Sequence, residues 1–206
     1  VTLRYRGRNR IRIETKLVIA NCDPFQVYES LLDSKRDGRR PALLGTDFKD
    51  RTVTPSAFMV HLGINHDLAS VARYRCNIWS YTRGDIDEYY EGVLQGKVDF
   101  GIDSFLFSSV ATFHDHDLLP NGLHSVQTII AAPYYERVFW EAHKERLAED
   151  VIRRLERYMP GIEEWIEVRQ VATPPTLVKY TGNYRGAMYG WASLPEQVGR
   201  NKLAEE

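Results

Sequence analysis

The densest group of possible metal ligands in the sequence is His114-Asp115-His116-Asp117. In an extended segment, histidines at i and i+2 point to the same side, as two ligands of one ion must. A third ligand would come from His124 or Asp103. The spacing matches no metal motif, and the Leu-Leu-Pro-Asn-Gly run that follows reads as a polar loop, so no metal ion is assigned. His61 sits inside FMVHLGI, an apolar strand pattern. There it either lines a ligand cavity or is hydrogen-bonded in a core. His66 and Asp67 fall in the next turn and read as solvated. Nucleophilic hydrolysis lacks its parts. No G-x-S-x-G occurs, and the sequence places no histidine partner for Cys22 or Cys76.

Phosphate-cradling loops are also missing, since neither G-x-G-x-x-G nor a P-loop pattern is present. The glycines that cluster are Gly182, Gly186 and Gly190, interleaved with Tyr184, Tyr189 and Trp191. On a helix these glycines would form one smooth stripe. In a loop they would let the backbone approach a flat ligand closely. Arg73 and Arg75 flank Tyr74, a small basic-aromatic patch that reads as a solvated strand entry.

These residues need a scaffold. The opening alternates apolar and polar residues on both sides of Gly7-Arg8-Asn9-Arg10, as a hairpin does. The LVIA run within 16–20 suits a strand buried on both faces. Asp23 can cap a helix over 24–32, with Pro24 at its first position. Residues 33–54 read as a charged surface segment. Strand patterns follow at 56–64, 75–81, 104–112, 125–132 and 165–172, with a helix over 85–92. The clearest helix covers 134–158. Tyr135, Val138, Phe139, Ala142, Leu147, Val151, Ile152 and Leu155 fall largely at spacings of three and four, and Pro160-Gly161 stops it. Its mixed charges suit a packed surface helix better than a membrane-surface one. Pro174-Pro175 opens a last helix over 176–181. The irregular order of strands and helices predicts an α+β fold, a mixed and largely antiparallel sheet with flanking helices.

The chain has 206 residues, enough for one domain or slightly more. With 27 Lys and Arg against 28 Asp and Glu, it has no global field for phosphate, which argues against a nucleic-acid partner. At 43% hydrophobic residues it can bury a core, so disorder is excluded as the main reading. No apolar run reaches the length of a membrane span, and two cysteines are too few to staple a domain of this size. Val1 begins inside a strand pattern, which suggests a piece of something longer.

The order of segments resembles the C-terminal half of the phytoene desaturase and carotenoid isomerase-like flavoproteins, which include retinol saturase-like enzymes. The likeness runs through LVIANCDP, YESLL, PSAFMVHLGIN, a loop with Asp117, Pro120 and Gly122, LERYMPGIEEWIEV, ATPPTLVKYTGNYRGAMYGW and Gln197. It implies that 1–22 are a β-meander and return strand of an incomplete FAD-binding domain. Residues 23–180 would be a substrate-binding domain, and 181–206 would return toward the flavin. The implied activity is FAD-dependent hydride transfer (desaturation, saturation or isomerisation) on an apolar, polyene-like substrate such as a carotenoid or retinoid. Gly186, Tyr189 and Gly190 would contact the cofactor, and His61, Tyr184 and Trp191 the substrate; no catalytic residue is assigned. The family's dinucleotide fingerprint is absent here, so this chain is expected not to hold FAD or turn over alone. The resemblance also suggests a cytoplasmic location with peripheral membrane contact. The competing expectation is a stand-alone, non-catalytic module that binds an apolar ligand or a partner chain. A hydrolase built on His114 to Asp117 is a distant third.

Overall fold

The computed structural model describes residues 2–5, 9–27, 51–81, 85–98, 104–118 and 123–198. Strands β1 (Thr2–Tyr5) and β2 (Asn9–Arg12) pair antiparallel in a sheet of their own, as the opening hairpin pattern predicts. The expected strand at 16–20 does not form. Leu17, Val18 and Ile19 are 74%, 58% and 85% exposed. A doubly buried strand needs a neighbour on each edge and a layer on each face, and no described residue supplies either to this run. Helix α1 (Pro24–Gln26) is one turn, capped by Asp23, whose Oδ1 accepts from Phe25 N at 2.8 Å. The rest of the helix expected over 24–32, and nearly all of the surface segment expected at 33–54, lie outside the described residues.

The body is a five-stranded sheet in the order β4-β5-β6-β3-β7 with every described pairing antiparallel. Its strands are β3 (Ser56–Ile64), β4 (Ile78–Ser80), β5 (Leu106–Ser109), β6 (His124–Ala132) and β7 (Ile166–Ala172). Two are shorter than expected. Residues 75–77 do not join β4. After β5 the chain turns into a 3-10 helix at Ala111–Phe113, and Thr112 Oγ1 lies 2.7 Å from His124 Nδ1 at the start of β6. Short helices α2 (Leu68–Val71) and α3 (Ile86–Leu94) are capped by Asp67 and Asp85.

Helix α4 (Arg137–Leu155) covers one face of the sheet. Its buried stripe is Trp140, Leu147, Ala148, Val151, Ile152 and Leu155, which packs with Phe58, Val60, Leu62, Ile64, Leu106, Val126 and Ile130. Val138, expected in that stripe, is 78% exposed; the phase of the helix puts Trp140 inward instead. Arg154 also reaches inward, and its guanidinium donates to Ser104 Oγ and O, both at 2.6 Å. Past the helix, Gly161 adopts φ +84°, and an added Cβ would lie 2.7 Å from the Trp165 ring. Only glycine fits there without displacing the indole. Glu156 holds the same turn by accepting from Gly161 N and Glu163 N at 2.7 and 3.0 Å. Helix α5 (Pro174–Thr181) closes the body, opened by a Thr173–Thr176 capping box and ended by Gly182.

Candidate functional site

Successive strand residues face opposite sides of a sheet. Since Phe58, Val60, Leu62 and Ile64 face α4, the residues between them face away. On that second face the register lines up Trp79 with Phe107, Phe107 with Ile129, Ile129 with Met59, and Met59 with Ala172. One apolar residue from each strand thus forms a row across the whole sheet. Four inter-strand steps of about 4.8 Å make it about 19 Å long. Met59, Phe107, Ile129 and Ala172 are half-buried, and Trp79 is 61% exposed. Two residues along the strands runs a polar row in which Ser109 opposes Gln127, Gln127 opposes His61, and His61 opposes Gln170. The two rows set an apolar line and a polar line side by side on this face of the sheet.

His61 is half-buried at the centre of the polar row, and burial holds its pKa below the usual histidine value. The ring is therefore neutral at pH 7, able to donate from one nitrogen and accept at the other. The unfolded chain takes up this proton near the ordinary value of about 6.5, the folded chain only at lower pH. Between those values the unfolded state holds more protons, so stability rises with pH across the window and its full value is present above it. His61→Gln is expected to flatten that slope, read as urea midpoints between pH 5 and 8. An unchanged slope would place the titration elsewhere.

The glycine-rich stretch is a loop rather than a helical stripe. Gly182, Gly186 and Gly190 all have positive φ. The loop is fixed to the residues entering β3. Thr54 N donates to Gly190 O at 2.8 Å, Tyr189 N to Thr54 Oγ1 at 3.0 Å and Ala192 N to Thr52 O at 2.9 Å. Gln197 bonds both polar groups of the Thr52 backbone, accepting at 2.7 Å and donating at 2.9 Å. Asp23 ties in the third segment, since its Oδ2 accepts from Tyr184 N at 3.1 Å while Phe25 stacks on the Tyr184 ring at 4.1 Å. That clamp role was not read from the sequence. An Asp-Pro pair shows the cap but not the second carboxylate oxygen.

The structure therefore gathers Tyr184, Gly186, Tyr189, Gly190 and Trp191 at the start of β3. His61 stands apart from them, five residues or about 17 Å along the strand from Ser56. Gly186 is packed internally. An added Cβ would meet Pro174 O at 2.7 Å and Ser56 Oγ at 2.8 Å. At Gly190 the same atom would meet nothing within 4 Å, and the neighbouring Tyr189 is exposed. Of the glycines expected at the cofactor, Gly190 alone presents open backbone. Gly190→Ala is expected to cost about 1–2 kcal/mol for its left-handed backbone. Gly186→Ala should cost at least about 1 kcal/mol more, because the backbone and side chain around it must also move. Chemical denaturation of the two variants checks this; equal losses would contradict it.

For a dinucleotide the fit fails among the described residues. No glycine-rich turn leads into α3, α4 or α5, and α5 opens on two prolines that have no N–H to offer. Nor do three His, Cys, Asp or Glu side chains converge on a metal position among the described residues. His114 and Asp115 are exposed, while the side chain of His116 and all of Asp103 lie outside the description. His124 is turned to Thr112, with Asp67 Oδ1 3.8 Å from its other nitrogen. His66, read as solvated, is half-buried and stacks on Trp165 at 3.7 Å because the turn folds back over that indole. A separate cleft of about 290 Å³ lies between α4 and α5, lined by Arg137, Trp140, Lys144, Thr176, Lys179 and others.

No family model matches the chain. The lycopene-forming phytoene desaturase of Pseudescherichia vulneris is 25% identical to it over 164 residues, 78% of this chain and 32% of that protein. The chain thus spans about a third of the length of this relative, to which it is distantly related. No described helix is long and apolar enough to cross a membrane.

Proposed function

We propose that this chain forms the substrate-binding part of an FAD-dependent oxidoreductase acting on an elongated apolar molecule of the carotenoid or retinoid kind. The observation that carries the reading is the row Trp79, Phe107, Ile129, Met59 and Ala172 on the sheet face turned away from α4. A long hydrocarbon laid along it removes apolar surface from water on both partners, at about 25 cal/mol per Å². The distant relationship to an enzyme named for phytoene and lycopene supports the same substrate class. In this arrangement the row binds and orients the chain of the substrate. The neutral His61, between Gln127 and Gln170, hydrogen-bonds a polar end group or a water beside it.

In a complete enzyme FAD would supply hydride acceptance or donation. The described residues of this chain do not build a flavin site, so no redox step is assigned to them. Gly186, Tyr189 and Gly190 stay proposed as contacts to the cofactor, Gly186 through the loop it shapes, and His61, Tyr184 and Trp191 as contacts to the substrate. The poor fit to a dinucleotide favours a second reading, a module that binds an apolar ligand without redox chemistry.

Titration of the purified chain with a detergent-dispersed conjugated polyene tests the binding. Saturable quenching of tryptophan emission at about one ligand per chain is expected, and non-saturable quenching would overturn the reading. In a longer protein carrying this segment with bound FAD and without oxygen, a partly saturated polyene should reduce and bleach the oxidised flavin, or a conjugated one should re-oxidise the reduced flavin, as the substrate's carbon–carbon bond loses or gains two hydrogens. Saturable binding with neither change in the flavin would favour the module.

A further inference from the structure

The cleft of about 290 Å³ between α4 and α5 lies on the α4 side of the sheet, away from the apolar row. Its α4 wall carries Arg137, Glu141 and Lys144, whose spacings of four and three put them on one stripe. Its α5 wall carries Thr176, Lys179 and Tyr180 in the same way. Between the helices lie Trp140, Val171 and Thr173. Trp140 and Thr173 are buried and Val171 is half-buried, whereas Arg137, Lys179 and Tyr180 are exposed. The cleft thus has a largely apolar floor and a cationic rim.

Three cations share one carboxylate on that rim. Arg137 is paired with it, Nε lying 2.5 Å from Glu141 Oε1. Lys144 is half-buried and reaches Glu145 only at 4.0 Å, while Arg169 holds Glu145 at 2.8 Å. Lys179 has no carboxylate in ion-pair reach among the described residues, and its ammonium lies 5.5 Å from the Tyr180 ring centre. The walls therefore carry an excess of two positive charges, in a chain whose formal net charge is -1. A cleft of one sign with low-dielectric walls focuses its field on a counter-ion. Lys179, in the last turn of α5, also suits the helix dipole. Lys144 stands in the N-terminal half of α4 and gains nothing from it.

We propose that this cleft binds a small carboxylate with a flat apolar body, its body against Trp140 and Val171 and its carboxylate between Lys144 and Lys179. The site is separate from the apolar row and does not rest on the reading given to it.

Charge, size and floor select the occupant. The two lysines supply charge-assisted hydrogen bonds to an anion. Thr173 Oγ1 and Thr176 Oγ1 lie 3.3 Å apart, so at most one of their two hydroxyl protons is used between them and the other can donate to the ligand. The volume is at the small end of the range for ligand pockets, which begins at about 300 Å³. A ring system or short chain fits, and a long polyene does not. Free phosphate would engage the rim and leave the floor unfilled. A ligand here would tie α4 to α5, which leads directly into the loop of Gly182, Gly186 and Gly190.

The test is calorimetric titration of the full chain with 2-naphthoate. Its neutral analogue 2-naphthalenemethanol and inorganic phosphate serve as the body without the charge and the charge without the body. Naphthoate is expected to bind once per chain, more weakly as salt rises, and about tenfold or more tightly than either control. Amide NMR shifts should fall on Lys144, Thr176 and Lys179, with Ile129 unmoved. Lys144→Gln with Lys179→Gln should weaken naphthoate about tenfold or more, and Lys144→Arg with Lys179→Arg should keep most of the affinity. Circular dichroism shows whether these variants fold. Lys179→Glu alone, at an exposed position, should weaken binding in the same direction. The proposal is overturned by equal affinity for naphthoate and the alcohol, or by phosphate binding as tightly as naphthoate. Shifts centred on Ile129, an affinity unchanged in Lys179→Glu, or no saturable naphthoate binding would overturn it equally.

Discussion

Ile129→Asp is expected to weaken polyene binding about a hundredfold while leaving the fold in place. Ile129 lies on β6, the middle strand of the sheet, and is the middle residue of the apolar row. Removing its side chain forfeits about 1.5–3 kcal/mol of apolar burial under a bound hydrocarbon. A carboxylate there must also lose water when the ligand lands, or hold the ligand off. About 2.7 kcal/mol is two decades in affinity. The matched control is Ser125→Asp, on the same strand and the same face but outside the row and already exposed. Its affinity should stay within about twofold of the parent. Tryptophan quenching gives the affinities, and circular dichroism shows that both variants fold. Equal affinities would remove the row from the binding site.

The largest stability loss is expected for Trp140→Ala. Trp140 is 1% exposed, stacks with Phe58 at 5.7 Å and meets Phe139 edge-on at 5.2 Å. It joins α4 to strand β3, which lies between β6 and β7, near the start of both elements. Truncating a buried aromatic to alanine costs about 3–5 kcal/mol, transfer and cavity together. That is about a fifth or more of the usual stability of a domain, and lowers Tm by about 6–20 °C at this size. Val138→Ala, two residues away and 78% exposed, should change stability by no more than about 0.5 kcal/mol. Urea denaturation of the pair measures the contrast. Similar losses in both would mean that α4 does not dock through Trp140.

The elements with strong local signals were legible in the sequence. Helix α4 announced itself through spaced apolar residues and a Pro-Gly stop, and β3 and β6 through long apolar runs. The α+β class followed from their order. What failed depended on neighbours. LVIA has strand character, yet exposed Ile19 shows that propensity cannot supply a partner strand. Val138 and Trp140 both satisfied the helical period, and only packing against Phe58 chose between them. His61 was legible as a polar residue inside an apolar strand, and the structure places it half-buried on the face turned away from α4. The apolar row itself was not, since each strand contributes one residue and only the register joins Trp79 to Ala172. The glycines at 182, 186 and 190 were visible as a repeat, but the period of four pointed equally to a helix and to a loop. Their positive φ values decided for the loop.

Ile129 and Ile130 are adjacent in sequence and face opposite sides of the sheet, Ile129 in the open row and Ile130 fully buried under α4. Methyl NMR of the chain titrated with a soluble conjugated polyene tests the central claim most directly. The account predicts saturable shifts of the Ile129 and Met59 methyls, with Ile130 and Val151 unmoved. Shifts confined to Val171 in the α4–α5 cleft, or a spectrum unchanged at saturating polyene, would contradict it.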